Sequence, residues 1–245
     1  MRSRRLSVAL IAALLGAGAA QAAPPASGGE DLTKAVNVFI GTGGHGHTYP
    51  GATVPFGMVQ LSPDTYNEGW DYCSGYHYSD SSIMGFSHTH LSGTGAADLL
   101  DFLLMPGTGE AKTVPGSREN PSEGYRSRFS HDDEVAEPGY YSVLLKDYAI
   151  RAELTATERV GLHKYTFPRS DSSHFILDLV HVDSSSDKLV LWSNLKFVGN
   201  DTIVGGRSTD LWAKGREIYF AMKFSKPFTS AEIVSDDKHL GESVR

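Results

Sequence analysis

Hydrophobic and polar residues alternate most regularly from Gly139 onward. The run YYSVLLKDYAIRAELTATERVGLHKYTFP, Tyr140 to Pro168, predicts three antiparallel strands, because residues two apart on an extended chain share one face. HFILDLVHV (His174 to Val182) is an apolar run long enough to predict a central strand. KLVLWSNLKFVGNDTIVGGRS predicts two strands joined by a tight turn at Gly199-Asn200-Asp201, Glu217 to Phe228 alternates again, and Ala231 to Val234 starts another strand. Nearer the N-terminus the apolar runs are shorter. Val36 to Ile40, Met58 to Leu61 and Phe102 to Met105 predict short strands, the last stopped by Pro106-Gly107, and Ser87 to Ser92 reads as extended. Ser62 to Asp80 is mostly turn-forming, and Thr108 to Glu123, with Pro115 and Pro121, reads as a surface loop. Many short strands with turn signals between them, and no sustained helical period, predict an all-β antiparallel β-sandwich.

The first residues change the picture of where the chain works. MRSRR followed by LSVALIAALLGAGAAQAA is a basic region, a short apolar core and a small-x-small site at Ala20-Gln21-Ala22. This predicts a signal peptide over residues 1–22, too short and wrongly flanked for a membrane anchor, and a secreted or periplasmic product. Residues 23–35 read as a linker beginning APPASGG, and 36–245 as the sandwich. The charged end, Ser235 to Arg245, reads as the edge of a module and predicts truncation of a longer protein.

Loss of Arg2, Arg4 and Arg5 with the leader leaves 19 basic against 29 acidic residues, a formal charge of −10. An acidic chain argues against nucleic acid and anionic membranes as partners and for neutral or cationic ligands. The single Cys73 excludes an intrachain disulfide, so packing has to supply the stability.

Candidate chemistry concentrates between Phe39 and Pro106, which holds five of the ten histidines: His45, His47, His77, His88 and His90. Two His-x-His pairs, His45/His47 and His88/His90, could each present two imidazoles to one face and together suit zinc or copper. In a polar loop the same rings serve equally as hydrogen-bond partners for one another or for a ligand. Aromatic and hydroxyl residues from Tyr49 to Ser79, with Trp70 beside Asp71, suit a sugar: rings cover its C–H faces, and polar groups bond its hydroxyls. Trp70 could instead plug the loop onto the sandwich. Asp64, Glu68, Asp71, Asp80, Asp98 and Asp101 supply carboxylates, but no pair stands out as an acid and base facing each other across a glycosidic bond. Gly41-x-Gly43-Gly44 precedes no helix, so it is not a phosphate loop. From the residues alone, the reading is a ligand-binding face on a secreted β-sandwich.

VNVFIGTGGHGHTYPGATVPFGMVQL (Val36 to Leu61), SGYHYSDSSIMGFSHTHLSGTG (Ser74 to Gly95), Leu103 to Gly107, EVAEPGYYSVLL and ELTATERVGLHKYTF within Phe129 to Phe167, and Gly215 to Phe228 resemble glycoside hydrolase family 92, the calcium-dependent exo-α-mannosidases. The likeness keeps the family's order over nearly the whole chain after the leader. It departs after Gly95, where Ala96-Ala97-Asp98-Leu99-Leu100-Asp101 stands.

The resemblance implies a supersandwich-like N-terminal domain. A larger (α/α)6 catalytic domain, absent from this chain, would carry the general acid, the base and most of the calcium site. It implies inverting hydrolysis of terminal α-mannosides on glycans, with no catalytic residue in this chain and calcium as cofactor. Carried onto matching positions, it implies a substrate-binding set of Gly44, His45, His47, Trp70, Tyr76, His77 and His88. Two other functions compete: a stand-alone carbohydrate-binding module, and a histidine-liganded metal hydrolase.

Overall fold

The computed structural model describes residues 31–183, 189–235 and 238–239. The expected signal peptide and most of the linker lie outside the described residues. The linker's last residues, Leu32–Ala35, form a single 3-10 turn. Strands β1 to β16 are numbered in chain order, and among the described residues the only helices are short 3-10 turns. None is long and apolar enough to cross a membrane.

Two antiparallel sheets make the sandwich. β1 (Ala52–Thr53), β2 (Gln60–Asp64), β4 (Gly85–Ser87), β5 (Leu103–Gly107) and β11 (His174–Asp178) bond in that order. The facing sheet has the order β10 (Gly161–Thr166), β9 (Ile150–Ala156), β8 (Tyr140–Leu145), β7 (Glu134–Glu137). Alternation decides which face is buried: on β9, Ile150, Ala152 and Leu154 point inward while Arg151 and Glu153 stay half-exposed. They meet Ala52, Leu61, Phe86, Leu103 and Met105 from the opposite sheet, with Tyr141, Val143 and Leu145 of β8. Each fully buried Leu or Ile contributes about 1.5–3 kcal/mol relative to an exposed one. That core is what fixes the loops on the sandwich rim.

A three-stranded meander, β12 (Val190–Val198), β13 (Thr202–Thr209) and β14 (Arg216–Lys223), follows with its tight turn at Gly199 to Asp201 as the sequence predicts. Arg207 of β13, fully buried, joins it to the sandwich. Its Nε donates to Asp101 Oδ1 at 2.7 Å, and its Nη2 donates to the carbonyls of Leu99 and Leu100 at 3.2 Å each. Two short pairs, β3 (Ser82–Ile83) with β6 (Ser127–Arg128) and β15 (Val234–Ser235) with β16 (Lys238–His239), complete the order.

Several expected strands differ. Val36 to Ile40 is a succession of turns, because the Asn37 side chain accepts from Phe39 N–H at 3.0 Å and holds the backbone bent. β5 runs through Pro106: beyond Leu104 only β11 flanks it, so the missing N–H leaves no ladder bond unmade. The His174 run is an edge strand rather than a central one, and it ends at Asp178, whose Oδ1 accepts from the N–H groups of Val180 and His181.

Candidate functional site

The Gly-rich loop from Gly41 folds back tightly enough that Gly46 passes over Gly41. A Cβ on Gly46 would fall 2.1 Å from the Gly41 carbonyl oxygen, so no other residue fits there. This turn presents Gly44 and His45 to solvent and turns His47 inward with a left-handed backbone, φ 53°. The Trp70–Tyr72 3-10 turn comes up beside it.

Asp71 is the hinge of the cluster. His45 Nδ1 donates to Asp71 Oδ1 at 2.6 Å, and that bond holds the carboxyl below its ordinary range. His47 Nε2 lies 3.5 Å from the same oxygen, buried and without a hydrogen bond of good geometry. The Trp70 ring stands edge-on to His47 with centroids 4.3 Å apart, and 5.2 Å from His45. Trp70 nevertheless keeps 58% of its surface exposed, so it is a platform and not a core plug. With Nδ1 on Asp71, the exposed His45 ring leaves its Nε2 accessible to a ligand hydroxyl.

His77 closes the other side. Its Nδ1 accepts from Ser79 N–H at 3.3 Å and meets Ser79 Oγ at 2.8 Å, which leaves Nε2–H to donate to the Gly44 carbonyl at 3.2 Å. Both ring nitrogens are therefore used in fixing the loop. Tyr72 packs against His77 with centroids 5.7 Å apart and carries the wall on to Arg118.

The structure brings Gly44, His45, His47, Trp70 and His77 together and separates two members of the expected set. Tyr76 is 1% exposed, and its hydroxyl donates to Glu134, which also accepts from Tyr141 and pairs with His131. It fills the core and cannot reach a sugar. His88 lies between the sheets, with Nδ1 donating to the Phe102 carbonyl at 2.7 Å and Nε2 3.0 Å from His163 Nε2. Burial pushes both imidazoles below their ordinary pKa. The separation occurs because the side chains on either side of Gly85–Ser87 continue the sandwich core, a placement set by the partner sheet rather than by local spacing.

The two His-x-His pairs do not converge. His90 points into the fold, where its Nε2 lies 2.6 Å from Asp64 Oδ1; the other Asp64 oxygen takes His181 Nε2 at 2.8 Å. No group of three or more His, Cys, Asp or Glu that could hold a metal occurs among the described residues. The cluster also fails as a calcium cage, which needs six to eight oxygens: Asp71 is its one carboxylate, and His45 occupies it.

The other candidate carboxylates each have at least one partner, Glu68 accepting from the Tyr66 hydroxyl at 3.1 Å. Asp98 accepts from Ala213 N–H at 2.7 Å, Asp101 is held by Arg207 and Arg216, and Asp80 pairs with Arg118. What the cluster offers is an exposed indole face, one accessible imidazole nitrogen and exposed backbone at Gly44. Such groups have the chemistry to cover the C–H face of a polyol and bond its hydroxyls. Sequence reasoning missed Arg118, in the loop after Gly107, because nothing in its local sequence points to Tyr72.

Residues 35–245 match the Glycosyl hydrolase family 92 N-terminal domain. Among solved structures, the family GH92 α-mannosidase of Bacteroides thetaiotaomicron is 47% identical over 86% of this chain, with a TM-score of 0.83 alone and 0.82 in complex with mannoimidazole. A second GH92 family glycosyl hydrolase is 28% identical over 85% of the chain, with a TM-score of 0.71. An uncharacterized secreted glycosidase of Arthroderma benhamiae is 31% identical over 62% of the chain. The chain spans 27–28% of the length of those solved relatives and 20% of the Arthroderma protein. Taken with the antiparallel sandwich they share, these matches establish that the chain belongs to glycosyl hydrolase family 92 and carries that family's N-terminal domain.

Proposed function

We propose that this sandwich forms one wall of the mannoside pocket of an exported α-mannosidase that removes terminal α-mannosides from glycans with inversion. The observation that carries the reading is Trp70, more than half exposed yet held in place by His45, His47 and Asp71. A flat indole backed by a rigid polar loop covers the C–H face of a sugar, and His45 Nε2 is placed to bond a hydroxyl at its edge.

Inversion needs an acid on the leaving oxygen and a base on a water at the opposite face of C1, with the two carboxyls about 6.5–9.5 Å apart. The carboxylates around Trp70 are tied to His45, Arg118, Arg207 and the Asp64 histidines. In this reading the proton-transfer groups, and the calcium, lie in a separate catalytic unit, as the family resemblance implies. The residues of this chain bind, orient and shield.

Two assays test this. The chain alone should release no mannose from an α-mannoside, whereas joined to a family 92 catalytic unit it should support turnover that falls when Trp70 becomes Ala. Hydrolysis by the isolated chain would overturn the reading, and so would a Trp70→Ala enzyme with unchanged KM and kcat.

A further inference from the structure

Beside the Trp70 cluster lies a second polar recess. Ser79, Asp80, Ser81, Ser82, Arg118 and Glu119 line a cavity of about 170 Å³, large enough for several waters or one small polar ligand. Its wall contains unmet hydrogen-bonding capacity. The Asp80 side chain is 9% exposed, and its Oδ2 is buried with no partner among the described residues. Behind Ser82, the buried Arg126 reaches Ser82 Oγ with Nη1 at 3.3 Å and leaves its Nε without a partner. An unsatisfied buried group costs about 1–3 kcal/mol, so the orphan Asp80 oxygen in the recess wall calls for an occupant that bonds there.

Arg118 forms the half-exposed side of the recess. Its guanidinium lies 4.2 Å from the Tyr66 ring centroid and 5.4 Å from that of Tyr72. Among the described residues its hydrogen bonds come from Nη1, to Tyr72 Oη at 2.6 Å and Asp80 Oδ1 at 3.4 Å. Nε and Nη2 remain for a ligand. A carboxylate that accepts and a guanidinium that donates, set side by side, bind vicinal hydroxyls: one hydroxyl gives its hydrogen to Asp80 while its neighbour accepts from Arg118. Anions fit badly, because Asp80 and Glu119 both line the recess. Tyr72 and His77 join the recess to the Trp70 platform, and Ser79 belongs to both.

We infer that the Asp80–Arg118 recess is a second carbohydrate subsite, which binds a diol of a sugar further along the glycan than the residue held at Trp70. This rests on the mannoside reading for its choice of sugar, but the recess and its orphan Asp80 oxygen stand apart from Trp70.

The test is NMR titration of the chain with methyl α-mannoside, α-mannobiose, α-mannotriose and inorganic phosphate at millimolar concentration. The Trp70 indole N–H should shift with every sugar, and the amides of residues 79–82 should shift with mannotriose. Arg118→Ala, and the shape-preserving Asp80→Asn, should lose the shifts at 79–82 and keep the one at Trp70. Shifts at Trp70 with none at 79–82 for any sugar overturn the subsite and leave the mannoside wall standing. Shifts at 79–82 with none at Trp70 uphold the subsite and overturn the wall. Silence at both overturns both, and a response at 79–82 to phosphate alone makes the recess an anion site and removes the inference.

Discussion

Gly95 touches Trp70 so closely that a Cβ at this position would fall 2.0 Å from the indole Nε1. Real side chains do not tolerate such a contact, so Gly95 sets how far the Trp70 ring lies down on its loop. Gly95→Ala should swing the indole outward, because the platform is exposed and the backbone at residue 95 is not in the left-handed region. We expect a shifted Trp70 indole N–H resonance and weakened mannoside response, with stability within about 0.5 kcal/mol of wild type, as for an ordinary surface substitution. An unchanged indole signal would show that the loop, not the ring, sets the position.

Arg207 makes the opposite kind of contact, deep in the fold. It bonds Asp101 and gathers the carbonyls of Leu99, Leu100 and Leu179. Leu99, Leu100 and Phe102 all hold positive φ, at 71°, 54° and 57°, a conformation that costs of order 1–3 kcal/mol each unless the surroundings impose it. Arg207→Ala removes the imposing group and leaves Asp101 with only Arg216 and the Thr89 hydroxyl, and should destabilise by about 3–5 kcal/mol. Urea unfolding measures this, and a loss under about 1 kcal/mol would mean Arg216 suffices to hold the segment.

The local parts of this architecture were readable from the chain, and the long-range parts were not. The three strands between Tyr140 and Thr166 and the hairpin at Gly199 follow from alternation and turn residues a few positions apart. Trp70 and His45 stood out for the same reason, as conspicuous groups among glycines. Whether a polar residue faces solvent depends on what lies across the sandwich. Tyr76 meets Glu134 at a separation of 58 residues and His88 meets His163 at 75, and no local signal announces either meeting. The two-residue strands β1, β3 and β6 were illegible because each pairs through so few residues that composition cannot mark it.

Asp183 gives the protein a stability slope that runs against the usual one for carboxylates. It is buried, and that burial raises its pKa from an ordinary 3.8 to about 8, so the folded chain holds a proton there that the unfolded chain releases. Folding therefore takes up a proton between these values. The contribution is complete below pH 3.8 and is lost as pH rises through about 8, at about 1.4 kcal/mol per pH unit. Asp183→Asn should flatten this slope, leaving stability nearly unchanged at pH 4 and raising it at pH 8. Chemical denaturation across that range checks the sign, and parallel curves for the two proteins would show that Asp183 is ionised in the fold.

The His88–His163 pair works in the other direction. His88 Nδ1–H donates to Phe102, so His88 Nε2 accepts from His163 Nε2–H, and His163 Nδ1 takes the Tyr165 hydroxyl at 2.7 Å. Every site in this chain is filled when both rings are neutral. Burial is the main cause lowering both pKa values from 6.5, with repulsion from His90 added at His88 and from His88 at His163; the bond to the Phe102 carbonyl, and Asp101 more weakly, pull the other way on His88. Below pH 6.5 the unfolded chain binds protons that the folded chain resists, so stability falls as the solution is acidified. His163→Gln, which keeps a polar group opposite His88, should shallow that fall by up to one proton's slope, about 1.4 kcal/mol per pH unit. The measurement belongs in the Asp183→Asn background, where the opposing slope has been removed. If the variant retains the full acid sensitivity, the protons that destabilise the fold enter elsewhere than at His163, and the His88–His163 pair is not their site.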